Sequence, residues 1–235
     1  MQAPQPFRFV RMIVASAICV LLVSGCKKPA ESYARIASDK YARADYTGAI
    51  ADYSEAIRQN PKFESAYVGR GVALAKIGNF DRAIDDFDSA IRLTPNDSTA
   101  YDNRGVVWGL KGDHEKAISD STKAIRLNPN DAECYYNRGR ERGIKGDYEG
   151  SIVDLTEAIR LNPINAEYFC NRGISRERNG DNSAAIADFS EAIRLRTNYV
   201  KAYYHRSVAR EKIGDHLGAV SDSNQVFCLD PKAYK

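Results

Sequence analysis

Arginine recurs at Arg70, Arg104, Arg138, Arg172 and Arg206, and aspartate at Asp52, Asp86, Asp120, Asp154, Asp188 and Asp222, both series in steps of 34 residues. Guanidinium and carboxylate in equal steps support two kinds of chemistry: a ladder of ion pairs, or a row of arginines free to hold an anion. The first position of the arginine series is Ile36, and no aspartate of the series precedes it. That end effect favours pairing each aspartate with the arginine 18 residues later, Asp52 with Arg70 through Asp188 with Arg206, leaving Asp222 over. Partly buried pairs of this kind specify register more surely than they add stability. No nucleophile stands with a base, and neither a paired-carboxylate site nor a phosphate loop occurs. His114, His205 and His216 fall at repeat positions suited to packing or surface. Neither an enzyme activity nor a cofactor is expected.

Cysteine supplies the one covalent chemistry. Arg8 and Arg11 precede an uncharged run, Met12 to Val23, that ends in Val23-Ser24-Gly25-Cys26. Such a run reads as a secretory signal over residues 1–25, too short for the roughly 20 apolar residues of a spanning helix. The four closing residues resemble a bacterial lipobox, which implies that Cys26 is acylated on its sulfur and becomes the first residue after cleavage. Lys27 stands where inner-membrane retention would have aspartate, so the resemblance implies the outer membrane, facing the periplasm. Residues 26–29 form a lipidated tether, in which Lys27, Lys28 and Pro29 reach about 10 Å at about 3.3 Å per residue. The mature chain keeps 32 bases against 31 acids, which gives no basic stripe for nucleic acid. Cys134, Cys170 and Cys228 are odd in number and show no metal spacing, so they are expected to be buried single thiols.

These residues sit in a repeat. Pro61, Pro95, Pro129, Pro163 and Pro231 stand 34 residues or a multiple of it apart, and six copies cover 30–61, 62–95, 96–129, 130–163, 164–197 and 198–231, leaving a tail of 232–235. Each copy reads as two helices. A glycine such as Gly112 ends the first, and Asp45, Asn79, Asp113, Asp147, Asp181 or Asp215 caps the second. Small residues at Gly71, Gly105, Gly139 and Gly173, and at Ala49, Ala83, Ala117, Ala185 and Ala219, let the helices approach. Tyr67, Tyr101, Tyr135, Phe169 and Tyr203 fill the space near each start.

In this combination of aromatic, glycine, alanine and proline the chain resembles the tetratricopeptide repeat family over residues 30–231. The resemblance implies an all-α fold, a right-handed superhelical solenoid of six helix-turn-helix units, with the arginines at a usual leucine position and the aspartates at a usual aromatic one. It also implies that the first helices line a concave, partner-binding face. On that face Val68, Val72, Val106 and Leu110 give way to Tyr136, Arg140, Ile174, Glu177, Tyr204, Val208 and Glu211. Asn103, Asn137 and Asn171 form a series of amides that either hold a peptide backbone or satisfy neighbouring helices. Asn103, Tyr136, Asn137, Arg140, Asn171, Ile174 and Tyr204 are the expected partner-binding residues, and Trp108 is expected in the core.

No extra polar helix shields the last unit, so a homodimer through Val226, Phe227 and Leu229 is expected. The expected function is a membrane-anchored adaptor that gathers other envelope proteins. The alternative is an assembly factor that pilots a pilus or secretion component to the outer membrane.

Overall fold

The computed structural model describes residues 29–232; residues 1–28, with the expected signal segment and Cys26, and residues 233–235 lie outside the described residues. Twelve helices and no strand occur among the described residues, paired as units one to six: α1 Ala30–Ala42 with α2 Tyr46–Gln59, α3 Glu64–Lys76 with α4 Phe80–Leu93, α5 Ser98–Leu110 with α6 His114–Leu127, α7 Ala132–Ile144 with α8 Tyr148–Leu161, α9 Ala166–Arg178 with α10 Asn182–Leu195, and α11 Val200–Lys212 with α12 His216–Leu229. Every helix packs on the next in sequence. Successive first helices also touch, whereas successive second helices do not, so the stack curves around its first helices and they line the inner face. None of the described helices is long and apolar enough to cross a membrane.

Local chemistry sets the boundaries. Asp113 accepts a hydrogen bond from the Lys116 amide, and Asp45, Asp147, Asp181 and Asp215 act alike at their helix starts. Asn79 makes no side-chain cap bond, contrary to its place in the series. Asp97, Asp131 and Asn165 cap first helices, a role the sequence pattern had not singled out. At the bend between helices five glycines, from Gly78 to Gly214, have φ of 78–91°, and unit one puts Ala44 there at 61°. The repeat alanines of the second helices, Ala49, Ala83, Ala117, Ala185 and Ala219, are buried almost completely. A Cβ on Gly71 would stand 2.8 Å from the Phe87 ring, and one on Gly173 2.7 Å from Phe189, so glycine is what lets each ring cross the helix pair.

Those rings correct the expected place of the aspartates. Tyr53, Phe87 and Phe189, each one residue after an aspartate of the series, fill the aromatic position, with Leu155 in unit four. The ion-pair register is corrected as well. Each arginine binds the aspartate 16 residues after it, in its own unit: Arg70 with Asp86, Arg104 with Asp120, Arg138 with Asp154, Arg172 with Asp188 and Arg206 with Asp222, all with two hydrogen bonds of 2.6–3.0 Å. Asp222 is therefore paired. Asp52, opposite Ile36, takes Lys40 at 2.6 Å instead.

The link to the preceding unit runs through the arginine's remaining amine. It reaches Ser54, Asp88, Thr122, Thr156 or Ser190 at 2.5–3.2 Å. Each guanidinium also lies 5.5–5.8 Å from the centre of the ring three residues before it. Stacked on a ring and bonded through all three nitrogens, these arginines are committed to the ladder and do not stand as a row of unpaired cations, although two of the five N–H groups of each are not used in it.

One further expectation fails at the C-terminal end. Cys134 and Cys170 are buried, but Cys228 is exposed. Val226 is fully buried, whereas Phe227 and Leu229 are exposed.

Candidate functional site

The inner face carries two clefts at equivalent repeat positions. The first lies between α3 and α5 and has a volume of 280 Å³; Val72, Ala75, Phe87, Val106, Val107 and Leu110 make it apolar, with Asn103 and Lys76 at its edge. The second lies between α7 and α9, extends to Lys201 at the start of α11, and has a volume of 440 Å³. Arg140, Arg178 and Lys201 line it together with Asn171, Ser151, Ser175, Ile144 and Ile174, and no acid does. The side chains of Arg178 and Lys201 make no hydrogen bond or ion pair within the described residues, and both residues are exposed. Ser151 and Ser175 sit with their hydroxyls 2.7 Å apart, and the Ser175 hydroxyl also donates to the Asn171 carbonyl at 3.2 Å.

Two buried carboxylates stand beside this cleft, at positions that are Ala73 and Val107, or Ala75 and Gly109, in earlier units. Glu141, 3% exposed, lies 2.7 Å from His114 Nδ1 and accepts from Arg140 at 2.8 Å. It reaches back to Gly109, where a Cβ would stand 2.7 Å from its oxygen, so a larger residue at 109 would displace it. Glu177, 6% exposed, lies 2.9 Å from His205 Nδ1 and accepts from Lys212 at 2.8 Å. Burial by itself raises the Glu177 carboxyl; the hydrogen bonds and charges of His205 and Lys212 more than reverse this and hold it at about 2. Glu177 is therefore a support of the face and not an open contact on it.

The expected partner-binding residues separate into groups. Arg140, Asn171 and Ile174 converge on the second cleft. Tyr136 adjoins it: its hydroxyl accepts from Asn171 at 3.4 Å, Arg140 lies 6.0 Å from its ring centre, and its ring packs on Tyr168 at 5.0 Å. Burial pushes the Tyr136 phenol up. Asn103 belongs to the first cleft, its amide donating to the Thr99 carbonyl at 2.9 Å. Asn137 is buried, with its amide spent on both Asp102 oxygens at 3.1 Å. Tyr204 is exposed one unit further on, edge-on to His205. Trp108 is half-buried against Leu74, Phe87 and Val107, as core packing requires, and Lys116 Nζ lies 4.0 Å from its ring centre.

Sequence reasoning missed Arg178, Lys201, Ser151 and Ser175 as one group. The available signal was three consecutive residues of the first helix, apolar in units two and three but Arg140-Glu141-Arg142 and Ile174-Ser175-Arg176 in units four and five. Arg142, Arg176 and Arg210 each add a hydrogen bond of 2.8 Å to the aspartate their own unit already pairs, forking it between two guanidiniums.

Comparison with known proteins agrees with this architecture. Residues 35–98 and 170–231 match the family described as tetratricopeptide repeat, residues 144–180 a TPR repeat family and residues 98–131 a further tetratricopeptide repeat family. The chain belongs to the tetratricopeptide repeat family, whose members generally serve as non-catalytic protein-interaction modules. No curated protein matches it in sequence. Among solved structures it is similar to MamA from Desulfovibrio magneticus RS-1, with 24% identity over 72% of this chain and 96% of that one and a TM-score of 0.65. It is also similar to YrrB, described as a TPR protein with an unusual peptide-binding site, at 20% identity over 77% and 93% and a TM-score of 0.66. It is similar as well to a chain of the APC/C hetero-tetramer Cut9-Hcn1, with 18% identity over 91% of this chain and 42% of that one and a TM-score of 0.76.

Proposed function

We propose that this chain is a non-enzymatic adaptor, lipid-anchored through Cys26 in the bacterial envelope, that holds extended partner segments along its inner face. An apolar side chain of the partner enters the cleft between units two and three, and an acidic one enters the cleft between units four and five. The observation that carries this reading is the unbonded pair Arg178 and Lys201 at a cleft with no acid in its lining. Two free cations beside Arg140 and Asn171 give a carboxylate charge-assisted hydrogen bonds. The peptide-binding site named for YrrB supports the use of such a face for peptides. The envelope setting is supported by the signal-like segment and by Val23-Ser24-Gly25-Cys26.

The test is photo-crosslinking from Tyr204 in intact bacterial cells, with partners identified by mass spectrometry. Several crosslinked envelope proteins are expected, their yield falling at least about tenfold in Arg178→Glu with Lys201→Glu, the loss that about 1.4 kcal/mol would cause. Cys26→Ser should release the chain from the membrane fraction. Unchanged crosslinks in the charge-reversed chain would remove the acidic-partner reading. One stoichiometric partner whose own assembly fails without this chain would replace the adaptor by a pilot.

A further inference from the structure

We infer that α12 is a dimerisation face and that its partner is α12 of a second copy. In units one to five the second helix presents a pair of isoleucines to the next unit, from Ile50 with Ile57 to Ile186 with Ile193, and none of the ten is exposed. The equivalent residues of unit six are Val220 and Phe227, 59% and 58% exposed, with Leu217 at 88% between them and the helix start. The face has kept its apolar character where, among the described residues, nothing covers it. A helix that takes the place of a following first helix would bury it.

Charge selects the occupant. The second helices of units one, four and five carry an exposed ion pair, Glu55 with Arg58, Glu157 with Arg160 and Glu191 with Arg194. In α12 the same two positions are Gln225 and Cys228. The acid that remains within the helix, Asp222, is buried and held by Arg206 and Arg210. Beyond His216 at its start, α12 thus offers no charge to attract a charged partner and none to repel a copy of itself. Head-to-tail stacking on unit one is disfavoured, because the outer face of α1 exposes Glu31, Arg35 and Asp39, which α12 could not compensate. A two-fold contact of α12 with itself is isologous and closes at two chains.

The experiment is light scattering coupled to size exclusion on the full chain in detergent, over a hundredfold range of protein concentration. Twice the single-chain polypeptide mass is expected at the upper end. Val220→Glu with Phe227→Glu in the same detergent should give the single-chain mass with unchanged helical circular dichroism, which controls for shared micelles. Oxidation of the wild-type chain should trap a disulfide dimer that Cys228→Ser abolishes. A wild-type chain that stays at single mass throughout, or a dimer that survives the double change but dissociates on Arg35→Glu, would overturn the proposal.

Discussion

The cleft between units two and three and the cleft between units four and five share one backbone frame and differ in almost every lining side chain. Val72, Val106 and Leu110 make the first an apolar slot, while Arg140, Ser175 and Arg178 make the second a cationic one. The difference extends behind the surface. In units two and three the position that follows the lining residues holds Leu74 and Trp108, and each aspartate of the ladder has the single guanidinium of its own series. In units four to six that position holds an arginine, and each aspartate is forked between two. A repeat thus changes the chemistry of its inner face by exchanging a few side chains, most of them on the first helices, while the glycine and ring contacts that fix helix spacing are kept.

The largest effect that separates the two halves is expected at the forked acids. Asp154 is 2% exposed and binds both Arg138 and Arg142, so Asp154→Ala leaves two partly buried guanidiniums without their carboxylate. Asp86→Ala leaves one, Arg70. Breaking a buried pair costs about 3–5 kcal/mol, and the unit-four change belongs at or above the top of that range, the unit-two change at its foot. Urea denaturation of both variants measures the difference. Equal losses would show that the second arginine contributes nothing to the fold.

The same ladder shows what could be read from the sequence. The period, the helix pairs, the glycine bends and five of the six caps at second helices were legible because each rests on contacts local in sequence. The register was not. In a 34-residue repeat, an aspartate 16 residues after one arginine is also 18 residues before the next, so a periodic sequence holds both pairings equally. Only the ends differ, and there Ile36 pointed the wrong way because Lys40 could serve Asp52 in place of an arginine. The expected site was legible in part: Arg140, Asn171 and Ile174 were placed on one face and do converge. Asn137 could not be distinguished from its neighbours by spacing, since its burial depends on Asp102 in the preceding unit. Glu141 and Glu177 stand in the same helices, but their partners His114, His205 and Lys212 come from sequence separations of 27 to 35 residues.

A second, smaller contrast lies in how the two halves respond to acid. Glu177, held at about 2 against an ordinary 4.5, contributes stability that is present above about pH 4.5 and lost as pH falls through 2. Glu177→Gln should therefore lower stability by on the order of 3 kcal/mol at pH 7, the difference closing towards pH 2. Glu64 in α3 has the opposite sign. Burial, then the hydrogen bond and charge of Asp97, push its carboxyl up to about 7, so its contribution is favourable below 4.5 and lost as pH rises through 7. Glu64→Gln should raise the melting temperature at pH 8 and leave it unchanged at pH 4. Thermal unfolding of both variants between pH 3 and 8 tests the pair, and curves that shift in the same direction would remove the distinction.

The smallest effect is expected at Ser151, where the second cleft departs from the rest of the stack by one oxygen. The other units place Ala49, Ala83, Ala117, Ala185 and Ala219 at this position, all buried, so the backbone frame accepts alanine there. Ser151 bonds only Ser175, and Ser175 keeps the Asn171 carbonyl when that bond is removed. Ser151→Ala should then cost no more than about 1 kcal/mol, the net worth of one hydrogen bond. If the oxygen serves the cleft, partner crosslinking from Tyr204 falls while the denaturation midpoint barely moves. If it serves only the fold, the midpoint moves and crosslinking does not. The two outcomes distinguish a cleft built for a polar ligand from one that is polar because a serine happened to fit where the repeat asks for a small side chain.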